Sequence, residues 1–165
     1  MKKFLALMIV LLTLLSVNLS VSAATSHVPV QGGNNTEVEY NNDEYSSNII
    51  PFINGEFGLA TGYIDYWGDW DMYMFTCSSN KTITTKLTNE RVLSADTSFF
   101  YALFDETDGT CKYWGYIPND IRTYICPEFQ GLAGHTYRIE ISVIGSEDAY
   151  NRGSGTKYSV RIYGK

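Results

Sequence analysis

Tyr137-Arg138-Ile139-Glu140-Ile141-Ser142-Val143 alternates apolar and polar side chains at every step. Successive side chains of an extended chain point to opposite faces, so Tyr137, Ile139, Ile141 and Val143 share one face. Such a strand is buried on one side only, as an antiparallel sheet in a sandwich requires. The same period recurs outward from this stretch. Tyr158, Val160 and Ile162 share a face downstream; upstream, so do Ile83, Thr85 and Leu87, and before them Tyr73, Phe75 and Cys77. Asp108-Gly109, between the runs Phe99 to Asp105 and Cys111 to Ile117, is a hairpin turn signal. Strand-forming residues punctuated by Gly, Asn and Asp complete an all-β pattern. The expected fold is one antiparallel β-sandwich domain, jelly-roll-like. A short helical turn is expected only around Asp43 to Ile50, packing Ile49 and Ile50 inward. Gly153-Ser154-Gly155 suits a mobile loop before the last strand.

The amino-terminal segment has a different composition. Lys2 and Lys3 precede an apolar run from Phe4 to Leu15, and small residues follow at Val21-Ser22-Ala23-Ala24. That order reads as a secretory signal peptide over residues 1–23, cleaved after Ala23 or Ala24. Residues 24–36 read as a flexible leader and 37–165 as the folded domain. Loss of the two lysines moves the formal net charge from −6 to −8. A surface so acidic argues against nucleic acid or an anionic membrane as partner and fits a secreted protein. His27, in the leader, reads as a solvated side chain.

Two groups of oxygen-bearing side chains flank the first strand-like run. Glu37, Glu39, Asn41, Asn42 and Asp43 form one; Asp65, Asp69 and Asp71 form the other. From Phe4 through Asn80 there is no Lys or Arg. Carboxylates so close stay solvated, meet distant basic residues, or share a hard cation such as Ca²⁺, which takes about six to eight oxygen ligands. A solvated acidic edge that discourages strand pairing between molecules is the alternative to a metal site.

Glu37-x-Glu39-x-Asn41-Asn42, Gly62-x-Ile64, Asp69-x-Asp71-x-Tyr73-x-Phe75, Ala133-Gly134-x-x-Tyr137-x-Ile139 and Tyr158-x-Val160, in this order, resemble the bacterial pre-peptidase C-terminal domain over residues 37 to 165. The resemblance implies a β-sandwich module of the kind usually appended to secreted peptidases. It also implies similarity to the collagen-binding domains of clostridial collagenases, which bind Ca²⁺ through the acidic amino-terminal segment. It carries a ligand role to Glu37, Glu39 and Asn41, and assigns Asp69 and Asp71 to the second acidic pair. The expected cofactor is therefore a structural Ca²⁺ that orders the amino-terminal segment against the sandwich.

Cys77, Cys111 and Cys126 leave at least one thiol unpaired in an oxidising compartment. If the chain returns through Pro118-Asn119-Asp120 into Arg122 to Cys126, Cys111 and Cys126 lie on consecutive strands and are the favoured bridge, worth about 3 kcal/mol. Three packed thiols are the alternative. His135, in Gly134-His135-Thr136, reads as an exposed turn residue.

Thirteen tyrosines and three tryptophans exceed what one small core needs. Tyr113, Trp114, Tyr116, Tyr124 and Tyr163 are the ligand-contact candidates, against the plainer reading of half-buried sheet residues. No nucleophile elbow, zinc helix or phosphate loop is present; only Asp69 and Asp71 would serve a hydrolase. The expected function is a secreted, non-catalytic, calcium-stabilised module that binds an extracellular protein or polysaccharide. The alternatives are an envelope-associated accessory of a separately encoded secreted enzyme and, behind both, a small secreted hydrolase.

Overall fold

The computed structural model describes residues 28–30, 35–39, 41–43, 45–90, 97–118, 120–145 and 156–165. The signal-like segment, His27 and Gly153 to Gly155 lie outside them. The described residues form an all-β sandwich of two sheets, and no helix occurs among them.

The six-stranded sheet runs in the order β1 (Val28–Pro29), β2 (Asn48–Ile49), β4 (Trp70–Thr76), β10 (Thr136–Gly145), β6 (Thr97–Asp105), β7 (Thr110–Pro118). The five-stranded sheet runs β3 (Phe57–Ile64), β11 (Thr156–Gly164), β5 (Lys81–Asn89), β8 (Thr123–Ile125), with β9 (Phe129–Gly131) pairing the start of β5. Every strand pair is antiparallel except β1–β2 and β2–β4.

The alternation read from the sequence sets which residues enter the core. Tyr137, Ile139 and Ile141 of β10 are fully buried, as are Tyr73 and Phe75 of β4 and Tyr158, Val160 and Ile162 of β11. Truncating any of the buried isoleucines to Ala would cost about 2 to 5 kcal/mol, because packed sheets relax little around a void. The Asp108-Gly109 turn joins β6 to β7, with Gly109 at φ 69°, where a side chain would be strained.

Three expectations meet a different arrangement. Around Asp43 there is a side-chain-capped turn in place of a helix: Asp43 Oδ1 accepts the Tyr45 and Ser46 amides at 2.8 Å. The chain then extends into β2, so Ile50 is buried and Ile49 faces outward, as period two requires. Within the stretch read as leader, Val28–Pro29 forms β1 and Val30 is buried. The Cys111–Cys126 bridge is not formed, and all three cysteines are free thiols. After Pro118 the chain crosses to the other sheet, where β8 pairs β5 and not β7. Cys126 therefore enters the core while Cys111 stays exposed.

Candidate metal centre between the sheets

Asp71 occupies a core position. On β4 it shares the inward face with Tyr73 and Phe75, and it is fully buried. A carboxylate there is costly unless its charge is compensated. Residues 35–39 and Asn41 lie over it. The Glu37 amide donates to Thr61 O and the Thr61 amide to Asn35 O, both at 2.9 Å, laying this segment along the β3 edge. Asn48 pins it from the other side, its side chain accepting from the Val38 amide at 2.5 Å and donating to Val38 O at 2.9 Å. The Met72 amide then donates to Asn41 O at 3.0 Å, so the strap touches both sheets.

Glu37, Glu39 and Asp71 each place a carboxylate oxygen within 4.8 Å of the others. Like charges at that spacing repel by on the order of 3 kcal/mol per pair at an effective dielectric of ~20. Asp69 sits beside them at the start of β4, fully buried, its Oδ2 accepting the Asp65 amide at 2.8 Å. No salt bridge among the described residues reaches Glu37, Glu39, Asp69 or Asp71.

The groups are satisfied unequally: Glu37 has partners on both oxygens, whereas the Asn41 side chain has none on either its oxygen or its nitrogen. The Asp71 Oδ2 atom accepts from the Tyr158 hydroxyl at 2.5 Å, whereas its Oδ1 has no partner. Asp69 Oδ1 and Asn41 Oδ1 are likewise buried without a partner. Glu37 Oε2 accepts from the Tyr73 hydroxyl at 2.7 Å, and Oε1 accepts from the Tyr63 amide. The Tyr73 and Tyr158 hydroxyls lie 2.7 Å apart and tie Glu37 to Asp71. Gly62 makes room for them, since a Cβ there would lie 2.2 Å from the Tyr158 hydroxyl and 2.4 Å from that of Tyr73.

The electrostatics follow from burial without compensation. Desolvation, then the neighbouring Glu37 carboxylate, raises the Asp71 pKa far above the usual carboxylate range. Burial, then Glu37, Asp69 and Asp65, lifts Glu39 to about 7. Burial also raises Glu37 and Asp69. The carboxylates of Glu37, Glu39 and Asp71 within 4.8 Å of one another, with Asp69 and the Asn41 amide beside them, are the donor chemistry of a hard cation and fit Ca²⁺.

All five residues expected as ligands belong to this region: Glu37, Glu39, Asn41, Asp69 and Asp71. Sequence reading missed their supports, Asn48, Tyr73 and Tyr158. The paired motifs Asp71-x-Tyr73 and Tyr158-x-Val160 held the available signal, but a tyrosine in a strand ordinarily reads as packing.

The aromatic candidates separate. Trp114 and Tyr116 are 61% and 59% exposed on the outer face of the six-stranded sheet. There Tyr116 meets Phe100 at 5.9 Å, and Phe100 meets Trp70 at 5.3 Å, forming a row across the sheet. Tyr113 and Tyr124 instead pack against the core, their hydroxyls 2.5 Å apart, and Tyr163 lies on the opposite sheet against Phe57. His135 is not an exposed turn residue: its Nδ1 lies 3.0 Å from Oδ2 of the buried Asp105.

No family model matches the chain, and no curated protein matches it. Among solved structures, it is similar to the pre-peptidase C-terminal domain of a collagenase from Bacillus anthracis, with 18% identity over 63% of this chain and 86% of that chain and a TM-score of 0.45. It is also similar to PliG, a periplasmic inhibitor of g-type lysozyme. For the Aeromonas hydrophila protein the identity is 14% over 71% of this chain and 94% of that chain, with a TM-score of 0.46. For the Salmonella Typhimurium protein it is 18% over 71% and 96%, with a TM-score of 0.41.

Proposed function

We propose that this chain is a secreted, calcium-clamped β-sandwich that binds an extracellular protein or polysaccharide and performs no chemistry on it. The observation that carries the calcium reading is the trio of buried, unpartnered oxygens, Asn41 Oδ1, Asp69 Oδ1 and Asp71 Oδ1, set beside Glu37 and Glu39. Left alone, each such group forfeits about 1 to 3 kcal/mol of hydration. One divalent cation would satisfy all three and neutralise part of the acid. Its role would be structural, holding residues 35–39 and Asn41 over the edge where the sheets meet. The row of exposed Trp114 and Tyr116 continued by the half-buried Phe100 and Trp70 is the ligand face, since large rings left in water on a flat sheet mark a contact surface.

Calorimetric titration of Ca²⁺ into chelator-treated protein tests the clamp. We expect saturable binding and a stabilisation of about 2.7 kcal/mol at one hundred times the dissociation constant. Both should be lost in the Glu37→Gln, Glu39→Gln double variant. Absence of binding at millimolar calcium would overturn the calcium reading. Retention of the protein by a matrix polymer from culture medium, lost in Trp114→Ala, tests the ligand face; a stoichiometric protein partner would favour the accessory role instead.

A further inference from the structure

The outer face of the five-stranded sheet carries a charge pattern that the calcium site and the aromatic row leave unused. Arg161 of β11 lies directly opposite Lys86 of β5. Both alternate with buried neighbours, Val160 and Ile162 on one strand and Thr85 and Leu87 on the other, so both point outward. Like charges directly opposite on an antiparallel pair are destabilising. Neither forms a salt bridge among the described residues. The chain holds 12 basic against 18 acidic residues, so two adjacent cations without a carboxylate stand out against its composition.

The pattern extends along β11. Lys157, Arg161 and Lys165 are spaced four residues apart, which on an extended chain puts them on one face at intervals of about 13 Å. Lys157 pairs with Glu90 at 3.2 Å and Lys165 with Glu128 at 2.8 Å. Exposed pairs of this kind contribute about 0 to 1 kcal/mol, so a competing anion displaces them readily. Beside the line is a groove of about 540 Å³ whose lining includes Thr84, Tyr163, the cations Lys86 and Lys165 and the carboxylates Glu56 and Glu128, offering hydroxyl and ring contacts. Tyr163 packs on Phe57 at 5.7 Å, and Lys157 sits over the Tyr63 ring at 5.9 Å.

We infer that this face binds a linear anionic polysaccharide laid along β11, with the unpaired Arg161 and Lys86 gripping its acidic groups. The guanidinium of Arg161 presents a planar fork that matches a carboxylate in two parallel hydrogen bonds. Regularly spaced cations on a flat strand suit a repeating polymer, whereas an extended peptide would seek a strand edge. The net negative charge of the chain does not forbid this, because exposed charges are screened beyond about 8 Å at physiological ionic strength.

Affinity electrophoresis of the calcium-loaded protein in gels containing polygalacturonate, dextran or poly-glutamate is the test. We expect retardation by polygalacturonate alone, weakening as salt rises. A dissociation constant at least about tenfold higher is expected for the Lys86→Gln, Arg161→Gln double variant. Removing the like-charge pair should leave the melting temperature equal or higher, and the single Lys86→Gln should show an intermediate affinity. Equal retardation of the double variant, no retardation by polygalacturonate, or stronger retardation by poly-glutamate would each overturn the inference. Because Trp114 and the calcium ligands lie elsewhere, failure here leaves the proposed clamp and aromatic face standing.

Discussion

Asp71 and Asp105 make an instructive pair. Both are fully buried, and both lie on strands that flank β10, Asp71 opposite Ile141 and Asp105 opposite Tyr137. Their surroundings differ in one respect. Asp105 is met by His135 at 3.0 Å and by Lys112 at 3.4 Å, while Asp71 faces Glu37, Glu39 and Asp69. Burial penalises the Asp105 carboxylate too, yet hydrogen bonds from His135 and Lys112 hold its pKa below the usual value. The Asp71 pKa moves the other way. A buried carboxylate is tolerated when its charge is answered; the chain answers that of Asp105 itself, and the proposed cation would answer that of Asp71.

The largest effect that sharpens this contrast is expected from Asp105→Ala. Stripping the acid from its partners should destabilise the fold by about 3 to 5 kcal/mol with or without calcium, read by urea denaturation. A calcium-dependent loss would instead mean that the two sites are coupled.

The pH dependence should differ in sign between them. Glu39, Glu37 and Asp71 have raised folded pKa values, so in chelator their contribution is complete below the unfolded values near 4; that of Glu39 is lost as pH rises through about 7, and that of Asp71 only as pH rises through about 10. Asp105 is lowered, so its contribution is present above pH 4 and lost as pH falls through its folded value. Melting temperature in chelator should therefore fall between pH 5 and 8. Saturating calcium, which binds the deprotonated groups, should cancel or reverse that slope. An equal slope in both conditions would break the comparison.

Gly62→Ala comes next in size. A methyl group driven against the two tyrosine hydroxyls should cost about 1 to 3 kcal/mol and weaken calcium binding by displacing the hydrogen bonds to Glu37 and Asp71. Chemical denaturation and calcium titration of the same variant check both effects.

The smallest effect should come from Asp71→Asn in chelator. With the pKa raised so far, the native acid is already neutral there, and the Asn oxygen can accept the Tyr158 hydrogen bond. The change in unfolding free energy should stay below about 1 kcal/mol. Its calcium-induced rise in melting temperature should nevertheless vanish.

How much of this was legible in the sequence depended on how local the signal was. Strand faces were readable because period two is written within seven residues, and Tyr73, Phe75, Tyr137, Ile139 and Ile141 went where that period sent them. The acidic cluster was readable because Glu37, Glu39 and Asn41 alternate on one segment and no basic residue sits nearby in the chain. Asp105 and His135 are 30 residues apart and meet only through the register of β6 on β10, which no local pattern encodes. The misplaced cysteine pair has the same origin: Pro118 was read as a turn within one sheet, but the chain there crosses between sheets. Trp114 and Tyr116 were correctly taken for one face of β7, while Tyr113, the odd member of the alternation, turned inward.

The position of β11 bears on the order of events as the polypeptide is synthesised. It lies between β3 and β5, and its Tyr158 hydroxyl reaches a Tyr73 hydroxyl 85 residues earlier in the chain. Until residues 156–164 have emerged, β3 and β5 have no strand between them, and the Tyr73 hydroxyl lacks its Tyr158 partner. Pairings this distant in sequence make folding slow, because the loop-closure entropy is lost before any contact compensates for it. The five-stranded sheet therefore closes only after residues 156–164 have emerged, joining segments that lie far apart in the chain.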